Sequence, residues 1–286
     1  MIYVGTCGYS YKEWIGSFYS PTIRPDEMLA SYASHFTAVE IDSSYYRVPS
    51  ASTVAAMNRR TPPTFRFSFK APQSVMRPKD LSGPVHDDAR LLADVIAPLL
   101  ENGKLACVLL QFPNGFRRMP RNEAYLMRVM SMFDAFPLVV EFRSDDWQVP
   151  ETIDLLAANG ASLCNVDLPD LPGLPHPSSD VVGPIGYVRF HGRNARQWWT
   201  GSNVTRYDYS YRAQELAPWT ERLAEIDAQV KESYAFFNNH ARGNAPRNAE
   251  LFEELLRERF GMLWQSVVAR PPAGTRMPEA PSLFEK

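Results

Sequence analysis

The chain has 286 residues, 45% of them hydrophobic and 22% charged, the composition of an ordinary globular protein with material for one large domain or two small ones. Its 30 basic and 32 acidic side chains leave a net charge of −2, so no global field draws it to nucleic acid or to an acidic membrane, and such a contact would have to be local. The absence of a basic leader, of an apolar run of membrane-spanning length and of paired cysteine spacing sets the expectation of a cytoplasmic protein with reduced, buried thiols, Cys7 being a minor candidate for reactivity because it ends a strand.

Taken in chain order, strand-like runs alternate with helical ones. The first strand is Ile2–Cys7, and residues 26–36 follow as a helix carrying Met28, Leu29, Tyr32 and Phe36 on one face. Strand 38–42 leads to a short helix at 52–59, strand 65–70 to a helix at Asp87–Glu101, and strand 106–112 to a helix at 121–133. Strand 138–143 precedes a helix at 151–159. After strand 162–167 the segment 168–184 is rich in Pro, Gly and Ser and reads as a loop in place of a helix. Strands 186–191 and 233–238 are followed by helices at 211–228 and 249–259.

Eight such units predict a closed, TIM-like (β/α)8 barrel as a single domain over residues 1–270, with a Pro-rich tail at 271–286. An open, doubly wound sheet is the competitor, since both folds are built from βαβ units. The count of eight favours the barrel. So do polar residues on one side of the strands, where a sheet covered on both faces would read as unbroken apolar runs.

The tract 186–192 shows the pattern best: Tyr187, Arg189 and His191 point one way, Val188 and Phe190 the other. Applied to all strands, the carboxyl-terminal face of the barrel is expected to receive Glu40, Asp42, Ser68, Lys70, Gln111, Glu141, Arg143, Asn165, Asp167, Arg189, His191 and Asn238. Hydrophobic plugs would close that layer at lower cost, so a chamber holding both signs of charge points to a polar ligand.

Lys70, Arg143 and Arg189 supply cations for a small anionic, phosphorylated or sugar-like substrate. Glu141 or Glu40 is the expected base or nucleophile, and His191 the expected proton shuttle. Lys70 is expected to pair with Glu40 or Glu141, a Schiff base being its alternative role. Asp167, Gln111 and Asn238 complete the binding set, with Tyr9 and Tyr46 on the loops after the first two strands.

Hydrolysis or isomerisation suits these groups, and no redox cofactor motif appears. A divalent metal is poorly supported, because the five histidines show no paired spacing. The long loop 192–210, with Trp198, Trp199, Tyr207, Tyr209, Tyr211, Arg193, Arg196 and Arg206 in or beside it, reads as rim anchors and a lid, or as a stacking surface for nucleic acid, the second functional reading. Residues 238–249 read equally as a phosphate cradle or an amide-rich helix cap.

Several segments together resemble the YecE-like proteins, the family of unknown function called DUF72. They are Gly5-Thr6-Cys7-Gly8-Tyr9, Val39-Glu40-Ile41-Asp42-Ser43-Ser44-Tyr45-Tyr46-Arg47-Val48-Pro49, Phe69-Lys70-Ala71-Pro72, Leu110-Gln111-Phe112-Pro113, Glu141-Phe142-Arg143, Val188-Arg189-Phe190-His191-Gly192 and Phe237-Asn238-Asn239. The resemblance covers nearly the whole chain and implies a TIM-like barrel similar in overall shape to the xylose isomerase and endonuclease IV group. Against the family pattern, Cys7 stands for Ser, Tyr9 for Trp and Asp42 for Asn. Asp42 adds a negative charge near Glu40. A shared fold supplies no reaction, so function rests on the site itself.

Overall fold

Alternating strand and helix signals resolve into eight parallel strands in the computed structural model, which describes residues 1–77, 80 and 87–271, with the backbone alone at 203 and 266. The strands are β1 (Ile2–Cys7), β2 (Ala38–Ile41), β3 (Arg66–Lys70), β4 (Leu105–Gln111), β5 (Leu138–Glu141), β6 (Ala161–Asp167), β7 (Ile185–Phe190) and β8 (Glu232–Phe237). They pair in chain order, and β8 returns to β1 through Ile2–Ser233 to Thr6–Phe237, closing the barrel. The helices are α1 (Met28–Tyr32), α2 (Ala51–Arg59), α3 (Gln73–Met76), α4 (Asp87–Glu101), α5 (Pro120–Met132), α6 (Pro150–Ala158), α7 (Asn203–Arg206), α8 (Ala213–Asp227), α9 (Asn244–Phe260) and α10 (Trp264–Val267).

This is the expected single-domain (β/α)8 barrel, with no helix between β6 and β7. Three helices escaped the sequence reading: α3, α7 and α10 are single turns, too short for a 3.6-residue period to show. Residues 272–286, most of the expected tail, lie outside the described residues, as does His86.

Two apolar layers hold the barrel together. Outside the strands, Val4, Ile41, Phe67, Phe69, Leu110, Val140, Val188, Phe190 and Phe237 form one continuous core with the helices. Helix α4 contributes Leu92, Val95, Ile96 and Leu99, the three- and four-residue spacing of an amphipathic stripe. Inside the barrel, Tyr3 and Tyr234 stack with ring centres 5.0 Å apart, and Tyr187, Phe236, Leu109, Val139, Cys164 and Val166 continue the filling. At Gly5 the two neighbouring strands come so close that a Cβ would lie 2.1 Å from the Ala38 carbonyl oxygen, so a side chain there would push β2 away.

The filling stops near the carboxyl ends of the strands. Above it, charged side chains take over.

Candidate functional site

The end of β5 places Glu141 at the centre of a buried network, because Glu141 and Arg143 lie on the same side of their strand and Arg189 reaches across from β7. Glu141 Oε2 accepts a hydrogen bond from Arg189 Nη1, and its Oε1 accepts from Arg143 Nε and, at 3.1 Å, from His191 Nε2. The other terminal nitrogen of Arg189 donates to Glu40 Oε1 at 2.6 Å, while the Tyr187 hydroxyl donates to Glu40 Oε2 at 2.8 Å and lies equally close to Ser68 Oγ. Glu40, Glu141 and His191 are fully buried and Arg189 is 1% exposed. Arg189 therefore sits as a fork between two carboxylates. They are ion-pair partners of one guanidinium and do not face each other across an open gap.

The electrostatics follow from these contacts. Burial opposes ionisation of Glu141, yet Arg143, Arg189 and His191 together hold its carboxyl well below the usual range. Burial and then Arg143 push His191 well below its ordinary value, outweighing Glu141, so its bond to Glu141 joins a neutral imidazole to a carboxylate. An ionised carboxylate can only accept, so the His191 proton is on Nε2, and Nδ1 accepts from Asn238 Nδ2 at 3.0 Å and from Arg143 Nη2 at 3.3 Å. In this arrangement both ring nitrogens of the expected proton shuttle are engaged.

Over this sealed layer lies a second, partly exposed one: Lys70 from β3, Gln111 from β4, Asp42 after β2, and Tyr207 from the long β7–α8 loop. The Lys70 ammonium stands 4.1 Å from the centre of the Tyr45 ring and makes no hydrogen bond or ion pair among the described residues, which corrects the expected pairing with Glu40 or Glu141. Those carboxylates are already taken by Arg189, Arg143, His191 and Tyr187. Burial and the nearby Arg189 push the Lys70 ammonium below its usual value, with Tyr207, Glu141 and Glu40 acting in the other direction. Burial raises the Tyr207 phenol, but Arg143, Lys70 and Arg189 outweigh it and hold the group below its ordinary value. Burial and Glu40 push the Asp42 carboxyl up; its Oδ2 lies 3.3 Å from the Tyr11 hydroxyl.

Tyr207 was legible only as one of several loop aromatics. Its position depends on how the loop crosses the barrel mouth. Gly192 turns the chain after β7 with φ of +83°, where a Cβ would meet Tyr209 at 2.7 Å. Asn194 then pins the return strand of the loop by donating to the Thr205 and Asp208 carbonyls at 2.9 and 3.2 Å. Trp198, 3% exposed, packs into the mouth with Leu168 and Leu174, and Arg143 lies over its ring at 5.9 Å.

Several expected site residues lie elsewhere. In β6 the register is opposite to the expected one: Cys164, Val166 and Leu168 face the barrel interior, while Asn165 and Asp167 face outward. Asp167 is a buried anchor beneath α8, accepting from Trp219 Nε1 and the Tyr211 hydroxyl at 2.6 Å each and from Arg193 at 2.6 and 2.9 Å. Asn165 holds the helix-free sixth connection, donating to the Asp180 carbonyl at 2.9 Å and accepting from Ser178 at 2.6 Å. For Asn165 the missing helix is the physical reason, since the loop that replaces it needs polar groups to hold it; Asp167 instead answers the donors of Trp219, Tyr211 and Arg193.

Tyr9 packs toward α1, its ring 6.2 Å from that of Tyr32 and its carbonyl accepting from the Tyr19 hydroxyl. Tyr46 is 69% exposed on the rim, and it is Tyr45 that meets Lys70. Burial pushes the Cys7 thiol well up, with Glu40 adding to the effect, so Cys7 is not poised as a nucleophile. In the β8–α9 turn the amides tie elements together: Asn248 accepts from the Tyr211 amide at 2.9 Å and from Asn239 at 2.8 Å. The amides brace the turn, but the expected asparagine cap is not formed: Gly243 stands at the N-cap of α9 with no side-chain cap bond. Among the described residues no group of three or more His, Cys, Asp and Glu side chains is disposed to hold a metal ion.

Away from the mouth, a cavity of about 180 Å³ opens beside the outer face of β6, lined in part by Trp147, Thr152, Ile153, Leu163, Asn165 and Pro175. Thr152 Oγ1 is buried there without a hydrogen-bond partner. Replacing an unsatisfied hydroxyl by a methyl group removes a desolvation cost, so Thr152→Val is expected to stabilise the fold by about 1 kcal/mol in urea unfolding. A loss of stability would mean that the hydroxyl holds a water in that cavity.

The comparisons with known proteins agree with this architecture. The sequence profile described as "Protein of unknown function DUF72" matches residues 3–273. The UPF0759 protein YunF of Bacillus subtilis is 32% identical over 273 residues, covering 90% of this chain and 95% of that protein. A crystal structure of a DUF72 family protein from Thermotoga maritima is 36% identical with a TM-score of 0.82, covering 90% of this chain and 99% of that one. One from Enterococcus faecalis is 30% identical with a TM-score of 0.79, covering 90% and 96%. On sequence and fold alike, the chain belongs to the DUF72 family.

Proposed function

We propose that the barrel mouth binds a small anionic, phosphorylated or sugar-like substrate and acts on it as a hydrolase or isomerase. The observation that carries the reading is Lys70, a partly exposed lysine at a strand end whose ammonium has no carboxylate or carbonyl partner among the described residues. A cation held in a crowded place without a counter-ion is completed by an anion from outside. Arg143 supports it: Nε is given to Glu141, one terminal nitrogen to His191, and the guanidinium also bonds the Tyr207 side chain, so the arginine fixes Tyr207 at the mouth where an incoming oxygen would arrive. Tyr207, held toward its ionised form by the same cations, is the group placed to exchange a proton with a bound molecule.

In this reading the roles expected of Glu141, Glu40 and His191 move upward by one layer. The three fix Arg143 and Arg189, and the reacting groups are Lys70 and Tyr207. A nucleic-acid surface is less well supported, because two arginines of that face, Arg193 and Arg242, are engaged by Asp167 and Asp208.

Retention of compounds from a metabolite pool, read by mass spectrometry, tests the proposal. The native protein is expected to retain phosphorylated or carboxylated molecules that Lys70→Met retains at least tenfold less, a loss of about 1.4 kcal/mol. Equal retention of every compound by both proteins, with equal melting temperatures, would overturn it.

A further inference from the structure

The chain contains only six lysines among its 30 basic residues, and among the described ones Lys70 and Lys104 are withdrawn from full solvent contact in opposite ways. Lys104, 5% exposed before β4, spends its ammonium on the Asn58 and Thr61 carbonyls at 2.7 Å each and on Thr61 Oγ1 at 3.1 Å. That is how a structural lysine is satisfied. Lys70 has none of this, only the face of the Tyr45 ring. It projects from the carboxyl end of β3 into the mouth, the face on which barrels of this kind carry their chemistry.

We infer that Lys70 is a carbonyl-capturing nucleophile: its side-chain amine condenses with the aldehyde or ketone group of a small anionic substrate to form an imine, and Tyr207 relays the protons. This rests on the proposed anion-binding mouth and names the chemical class of its substrate, an oxo acid or a phosphorylated carbonyl compound.

The surroundings fit each step. Neutral amine is needed for attack, and desolvation together with a neighbouring cation is the established physical route to it. Arg189 is that neighbour, kept charged by two carboxylates of its own. The nitrogen lone pair attacks the carbonyl carbon, a C–N bond forms, and the C–O π pair moves to oxygen. One N–H proton is transferred to that oxygen, giving a carbinolamine. Loss of the hydroxyl with the second N–H proton then forms the C=N bond and releases water, so amine plus carbonyl becomes imine plus water without any change of oxidation state. Both protons must travel from nitrogen to oxygen. Tyr207, beside Lys70 and Arg143, is the titratable group placed for that relay. Protonation of the imine makes the adjacent C–H acidic, which is how a carbonyl could be moved along a sugar-like chain.

Reductive trapping of the full chain tests the inference. The protein is incubated with pyruvate or with dihydroxyacetone phosphate in the presence of cyanoborohydride, and adducts are located by intact mass and peptide mapping. One adduct on Lys70 is expected, absent in Lys70→Arg, which keeps the charge but not the nucleophile, and formed at least tenfold more slowly in Tyr207→Phe. Inorganic phosphate binding by calorimetry, and the melting temperature, are followed in all three proteins. An adduct spread evenly over the exposed Lys12 and Lys231 as well as Lys70 would overturn the inference, since it reports surface chemistry. No adduct with either probe, while phosphate still binds the native protein and Lys70→Arg, would overturn the imine and leave the anion site standing. Neither adduct nor phosphate binding would overturn both.

Discussion

Glu141→Gln is expected to lower the unfolding free energy by about 3–5 kcal/mol, the cost of leaving buried charge uncompensated. The carboxylate bridges Arg143 and Arg189 and accepts the hydrogen bond of His191 Nε2, all within a buried layer. Glutamine keeps the volume but removes the charge, and its amide nitrogen presents a donor where Arg143, Arg189 or His191 already donates. Urea unfolding at neutral pH checks the value. For a domain of this size the loss corresponds to a fall in melting temperature of roughly ten degrees.

Two companions sharpen the result. Arg189→Met alone leaves Glu40 and Glu141 facing each other without their common cation. The double variant removes cation and anion together, so it is expected to be less destabilised than the sum of the single changes. Additive losses, or a Glu141→Gln penalty below about 1 kcal/mol, would show that the network is solvated and not the sealed layer described here.

The same network makes stability depend on pH, and its two shifted groups with ordinary values between pH 4 and pH 7, His191 and Glu141, are both shifted downward. The folded His191 binds its proton less readily than the unfolded one, whose ordinary value is 6.5. Its contribution is complete above that value and is lost as pH falls below it. The folded Glu141 is likewise shifted below its ordinary value of 4.5, so a second loss begins there and continues toward the folded-state value. In both windows the unfolded chain binds more protons, and stability therefore declines toward acid. Each group adds at most about 1.4 kcal/mol per pH unit. Urea midpoints collected from pH 7 to pH 4 are expected to fall gently below 6.5 and more steeply below 4.5. His191→Gln is expected to flatten the first part and leave the second. An unchanged upper slope in that variant would mean that His191 is protonated in the folded protein.

These two predictions concern the lower layer, whose work is positional. Arg143 and Arg189 are held in one geometry before any ligand arrives, so less ordering remains to be done on binding. The upper layer has the opposite character. Lys70, Tyr207, Gln111 and Asp42 are partly exposed, and Lys70 lacks a polar partner among the described residues. A fixed base under incompletely paired groups is the arrangement expected of a binding mouth. A barrel plug would pair everything.

Much of this was written in local patterns. The eight strands, the long helices such as Asp87–Glu101, the helix-free sixth connection and the inward set Glu40, Lys70, Glu141, Arg143, Arg189 and His191 follow from period-2 and period-3.6 alternation, because the pleat and the helical turn translate spacing directly into facing. The facing of β6 did not follow, since each of its sides carries both polar and apolar residues, and the choice was made by what covers it: Trp219, Tyr211 and Arg193 around Asp167, and a loop around Asn165. Which charge meets which was decided only by closure of the barrel. Arg189 and Glu40 stand 149 residues apart in the chain and 2.6 Å apart in space, while Lys70, equally charged and equally inward, is left with an aromatic ring. Spacing along a strand determines the side from which a residue looks out; the partner it finds there depends on strands and loops far away in sequence.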